Sequence, residues 1–242
     1  LDQAVFAFQK AIYIKPNTAE IYNNIGNVFK AQKKFREANE AYLKAISIKP
    51  NYADAFCNMG NCLVDEGRLE EASKAYNDAI LIKPNYAAAY NNAGIALKGK
   101  TFIKSSMHIH KLIHALLDQK IYVRPEYVSG AAISLLKLEL DLHKQLQRNS
   151  FDDLRTSLNE VVSVLNKYPL LLTLMSVCPI ADPEFEKLFL NLRRALLSLV
   201  SISPVSVGIL KFQNALALQC FTNEYVLDET SDEGKLVDLL DQ

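Results

Sequence analysis

Few residue types in this 242-residue chain are spaced for chemistry, and each spacing can be tested against what the chemistry requires. Gly94-Ile95-Ala96-Leu97-Lys98-Gly99-Lys100-Thr101 satisfies the phosphate-loop pattern G-x-x-x-x-G-K-T. That motif works only as a loop between a buried strand and a helix, where free backbone N–H groups cradle phosphates. No strand pattern precedes Gly94, and its surroundings are helical, so no nucleotide is expected there. His108, His110 and His114 cluster, and His110 and His114 lie one helical turn apart as zinc ligands can. Lys111-Leu112-Ile113 between them supplies no glutamate base, and no cysteine or carboxylate completes a set, so no metal is expected. Cys57 and Cys62 suit neither a redox pair nor a metal knuckle, and Cys178 and Cys220 are isolated. No Ser/His/Asp group can be given roles. The residues therefore point to no catalytic centre and no cofactor.

Asparagine is what recurs. Asn24, Asn58 and Asn92 are evenly spaced along the chain, each two positions after an aromatic (Tyr22, Phe56, Tyr90). Asn27 and Asn61 recur likewise, and Ile95 breaks that second series. A side-chain amide offers a carbonyl acceptor and an NH₂ donor group, which suits holding the backbone of an extended peptide whatever its side chains. The competing reading is local: each amide satisfies polar groups of its own repeat.

The elements that must position these amides share their period. Pro16, Pro50 and Pro84 have the same even spacing, each inside Ile-Lys-Pro-Asn. Upstream of Pro50 lie Tyr22, Ile25, Gly26, Phe29, Ala38, Tyr42 and Ala45; upstream of Pro84 the same offsets hold Phe56, Met59, Gly60, Leu63, Ala72, Tyr76 and Ala79. Only the second half survives before Pro16, as Ala4, Phe8 and Ala11, and the first half recurs after Pro84 as Tyr90, Ala93, Gly94 and Leu97. Small residues let paired helices approach, the aromatics Tyr42 and Tyr76 are expected to fill the space between successive repeats, and the proline ends the second helix. These residues resemble the tetratricopeptide repeat, two helices per unit, stacked as a solenoid in which each unit contacts its neighbours. Helices are predicted at 1–14, 19–31, 35–48, 53–66, 69–82 and 87–98. The open half repeat at the start implies further repeats before Leu1.

The resemblance implies that the first helices line a concave groove. Besides the three asparagines, Asn27 and Asn61, the candidate lining is Asn23, Asn91, Lys30, Asp65 and Lys98, with Glu20, Asp54 and Cys57. In this respect the chain is similar to the O-linked N-acetylglucosamine transferases, whose asparagine ladders hold protein substrates. The mixture of charges in the lining implies a polar ligand without a strong charge preference.

The repeat period decays after Gly99. Residues 102–117 are still compatible with a second helix, although Ser106 stands where the packing alanine belongs, and 118–124 match no part of a further repeat. The expected organisation is a repeat array over 1–117 (a half repeat, two full repeats and one degenerate repeat) and a helical connector over 118–242. In the second part a largely apolar helix is expected within 125–147, and a Ser150/Asp153 capping box before a helix reaching 167. Asp182-Pro183-Glu184 reads as a helix start, with a cap, a proline at the first position and an acid in the first turn. A further helix is expected from Ser203-Pro204 to Tyr225, and a short acidic one from Ser231. The fold class is all-α: a solenoid followed by an irregular helical bundle.

Composition narrows the partners. Twenty-seven basic residues balance 27 acidic ones, and residues 131–242 carry 10 basic against 15 acidic. Nucleic acid, which demands a basic surface, is not expected. The acids from Asp228 to Asp241 read as a solvated helix face. No uncharged apolar run reaches the roughly 18 residues of a membrane span, and the four cysteines read as reduced thiols, so a soluble cytoplasmic protein is expected.

At Leu135-Leu136-Lys137, Tyr168-Pro169-Leu170-Leu171-Leu172, Cys178-Pro179-Ile180-Ala181-Asp182-Pro183 and 212–228, the chain resembles bacterial tetratricopeptide proteins fused to an S-adenosylmethionine-dependent methyltransferase domain. The resemblance implies that 125–242 form the helical connector to a catalytic domain beyond Gln242. The residues themselves hold no strand followed by a G-x-G turn, so this stretch is not expected to bind that cofactor. Protein or extended-peptide capture, presenting a partner to a downstream catalytic domain, is the leading reading. The alternative makes these helices a regulatory or dimerisation element, and the chain a homo-oligomer, within a methyltransferase or a protein glycosyltransferase. A third reading is a scaffold with no catalytic neighbour.

Overall fold

The computed structural model describes residues 2–119, 122–147, 151–200 and 216. The expected helices beyond Ser203, the acidic tail, Ser150, Cys220 and the 212–228 run lie outside the described residues. Among the described residues there are twelve helices and no strand, so the fold is all-α.

Seven helices belong to the first compact unit, residues 1–98 and 106–124. They are α1 (Asp2–Ile14), α2 (Ala19–Ala31), α3 (Phe35–Ile48), α4 (Ala53–Asp65), α5 (Leu69–Ile82), α6 (Ala87–Leu97) and α7 (Met107–Asp118). The pairs α2/α3 and α4/α5 pack most closely, and α3 packs on α4, which is the order of a stacked two-helix repeat.

The close approach within each pair has a specific cause. A Cβ added at Gly26 would lie 2.5 Å from Cε1 of Tyr42, and one at Gly60 would lie 2.8 Å from Cε1 of Tyr76. The glycine is therefore a socket for the aromatic ring of the paired helix. Both tyrosines are buried, as are Ala38, Ala45, Ala72 and Ala79 beside them. The turn from α2 to α3 contains Lys33 at φ 61°, and one repeat later Gly67 occupies the same left-handed conformation at φ 83°.

The third unit departs from this plan. Gly94 faces Val123 instead of a tyrosine of α7: a Cβ there would lie 2.7 Å from Val123 Cγ1. Tyr122 stacks on Tyr90 with ring centroids 5.2 Å apart. The stretch before Arg124, which follows no repeat pattern, thus closes the end of the array with its own side chains.

The helix compatible with 102–117 begins later, at Met107, because Ser106 caps it. The Ser106 hydroxyl accepts from the Ile109 N–H at 3.4 Å and donates to Glu70 Oε1 at 3.2 Å. Asn77 Nδ2 on α5 donates to the His108 carbonyl at 2.8 Å, so α7 is fastened to α5 at its first turn.

The second compact unit comprises residues 99–105 and 125–242, and its described helices are α8 (Glu126–Leu136), α9 (Leu140–Leu146), α10 (Phe151–Leu165), α11 (Pro169–Val177) and α12 (Pro183–Val200). The single helix expected within 125–147 is two, broken at 137–139, where the backbone of Glu139 turns extended (ψ 116°) just after Lys137. The Lys137 ammonium reaches Asp182 Oδ2 at 2.6 Å and Glu184 Oε2 at 3.0 Å, tying the break to the start of α12. Asp182 caps α12 as its sequence implies, accepting from the N–H groups of Glu184 and Phe185 at 3.2 and 3.4 Å. A kink at Ser157 divides α10. The core of this unit is aliphatic and aromatic: Leu135, Leu171, Leu174, Phe185, Phe189 and Leu192 are all fully buried. No single described helix is long and apolar enough to cross a membrane.

Candidate functional site

Helices α2, α4 and α6 are the first helices of three successive units, and each leaves one stripe exposed or half-exposed. The stripes are Glu20, Asn24 and Asn27 on α2; Asp54, Asn58, Asn61 and Asp65 on α4; and Ala88, Asn91, Asn92, Ile95 and Lys98 at α6. Spacings of three and four along the helix put each set on one face. Hydrogen bonds tie the stripes of α4 and α6 to buried groups of the first helix before each. Asn58 Nδ2 donates to Asn23 Oδ1 at 3.0 Å, and Asn92 Nδ2 donates to Cys57 Sγ at 3.6 Å. Lys30 Nζ lies 3.1 Å from Asp65 Oδ2 across the same two helices. The faces of α2, α4 and α6 therefore form one continuous surface.

The amides on it are not equivalent. Asn27 and Asn61 accept from the hydroxyls of Tyr42 and Tyr76 at 2.8 and 2.7 Å. Burial pushes both phenols well above their ordinary range, so they stay neutral donors. The carbonyl oxygens of Asn27 and Asn61 are thus held by their own repeat, and their NH₂ groups remain. Asn23 and Cys57 are buried and accept from the next repeat along. Asn58 and Asn92 each have one N–H engaged, keeping a second N–H and the carbonyl oxygen. Asn24 and Asn91 are exposed, and among the described residues neither side chain makes a hydrogen bond.

The acidic groups of the surface have internal partners too. Lys49 pairs with Glu20 at 3.3 Å and lies over the Tyr52 ring, 4.7 Å from its centroid. One repeat later Lys83 lies over Tyr86, whose hydroxyl donates to Asp54 Oδ1. Each Ile-Lys-Pro-Asn-Tyr turn thereby clips onto an acid at the start of the preceding unit's first helix. These exposed contacts contribute little stability singly, but they neutralise the surface.

Residues 26–63 and 60–100 match the family model described as the TPR repeat. This segment carries tetratricopeptide repeats. No curated protein matches the chain. Among solved structures, one from a functional characterization of Pseudomonas aeruginosa PilF is similar at 13% identity, covering 91% of this chain and 97% of that one, with a TM-score of 0.35. A likeness that low says nothing further of this chain. Neither comparison supports the methyltransferase connection expected from residues 125–242.

Within the repeats, the tyrosine partners of Asn27 and Asn61 went unread in the sequence, although a signal was there. The pairs Asn27/Tyr42 and Asn61/Tyr76 share one spacing, and in the third unit both members change together, to Ile95 and His110. The phosphate-loop pattern at Gly94 falls on helix through Leu97, whose backbone is not a free loop. Among the described residues, no group of three His, Cys, Asp or Glu side chains is placed to hold a metal.

Proposed function

We infer that the α2/α4/α6 surface captures an extended polypeptide through its backbone. The carrying observation is the amide row itself: Asn24, Asn58, Asn91 and Asn92 keep donors and acceptors available on one continuous face, while the carboxylates Glu20, Asp54 and Asp65 have intramolecular partners. Exposed amides read peptide N–H and C=O groups equally well in any sequence. Tetratricopeptide repeats in general form protein-interaction scaffolds, and this reading makes the chain one whose ligand is held without a charge preference.

Three helices packed at roughly 9 Å spacing make a row about 20 Å long, which an extended chain crosses in about six residues. Capture is tested by fluorescence anisotropy on the full chain with a labelled peptide of alternating serine and threonine, about ten residues long to cover that row. Asn24→Ala is the clean variant because, among the described residues, its side chain has no hydrogen-bond partner. It is expected to weaken binding about three- to tenfold, the worth of a typical net hydrogen bond, with an unchanged melting temperature. Unchanged affinity would remove Asn24 from the site. Delivery of the captured segment to a catalytic neighbour would be a further role, resting only on the resemblance of 125–242.

A further inference from the structure

The backbone-reading surface has one place where it changes character. In the first two units, the repeat position held by Asn27 and Asn61 is polar for an internal reason: a buried tyrosine hydroxyl donates to each amide. The third unit has no such hydroxyl. His110 stands one repeat after Tyr76, and it is Val123, not a tyrosine, that fills the space at Gly94. With the donor gone, nothing internal calls for an amide, and the position holds Ile95.

Ile95 is not thereby drawn into the core. It is 66% exposed, on the same stripe as Ala88, Asn91 and Lys98, one turn from both Asn91 and Asn92. An aliphatic side chain this open among amides gains by covering itself with apolar surface from a ligand. Amides that read only backbone leave a bound peptide free to slide by two residues without losing hydrogen bonds, because side chains alternate along an extended chain. A single apolar contact at one end of the row breaks that degeneracy.

We propose that Ile95 is the specificity-determining residue of this surface, selecting extended segments that carry one aliphatic side chain over the third repeat and fixing their register. The ligand class is an uncharged, mainly polar segment with one leucine-like residue. The proposal rests on the capture reading above, and the test separates the two.

The full chain is titrated with two labelled peptides, the serine/threonine host and the same host with one central leucine. Covering a leucine side chain against Ile95 should tighten binding about tenfold. Ile95→Asn, which gives the third unit the residue of the other two, should bring the affinity ratio of the two peptides to about one. The variant residue is exposed, so the fold tolerates it. Equal binding of both peptides by the parent chain, or a leucine preference surviving in Ile95→Asn, overturns the role of Ile95 while capture stands. No binding of either peptide overturns capture and this inference together.

Discussion

Asn58 donates to Asn23, whose carbonyl oxygen is buried, so its amide has a structural duty beside any ligand contact. Asn58→Ala would strand that acceptor at a cost of about 1–3 kcal/mol, and urea denaturation should show the loss. Asn24→Ala should show none, because among the described residues no side chain or backbone group hydrogen-bonds to it. The two asparagines occupy the same repeat position and looked interchangeable by spacing alone. Their difference arises because an amide's duty depends on the preceding repeat: Asn58 has Asn23 to pair with, and Asn92 has the weaker acceptor Cys57. The row's period could be read from residue types. The division of each amide between neighbour and ligand could not, because it depends on which lone pair and which N–H meet across two helices.

At the scale of elements, the proline-terminated turns and the close approach at the glycines were legible, and helices α2 to α6 follow the repeat register; that Tyr42 and Tyr76 seat on the glycines of their own pair was not. The break between α8 and α9 was not legible either, since Leu135 to Leu142 read as one apolar helix and no glycine or proline marks the extended backbone at Glu139. Helix α11, opened by Pro169, is equally hidden in the sequence, because nine residues are too few for periodicity to announce. The register does expose one misfit. Lys33 holds φ 61° where the next repeat uses Gly67, and a left-handed conformation costs a side-chain-bearing residue about 1–2 kcal/mol. Part of this is offset by glycine's freedom when unfolded. Lys33→Gly should therefore stabilise the array by about 0.5–1 kcal/mol, measured as a higher urea midpoint at unchanged slope. A lower midpoint would show that Lys33 makes contacts outweighing its strain.

For the whole molecule, buried titratable groups set the pH range of folding. Burial raises the thiols of Cys57, Cys62 and Cys178, the latter two to about 11 from an ordinary 9.0, and raises the phenols of Tyr42 and Tyr76 from 10.0. Each folded-state value lies above its unfolded one. The native protein therefore keeps protons that the unfolded chain releases once pH passes the unfolded values. Their stabilisation is complete below about pH 9 and declines as pH rises through the thiol and then the phenol ranges. Urea midpoints should be level from pH 7 to about 8.5 and fall steadily above that. A midpoint rising with pH across that window would contradict the burial of these groups.

The account turns on a ligand being held by its backbone. The most direct measurement compares the serine/threonine peptide with a twin of identical side chains whose alternate backbone nitrogens are methylated, each titrated into the full chain. Methylation removes the N–H groups that the asparagine carbonyls would accept from, so the twin is expected to bind at least about tenfold more weakly, while shuffling the serines and threonines changes nothing. Equal affinity for both peptides would contradict the account, since an amide row indifferent to peptide N–H groups is not what holds the chain.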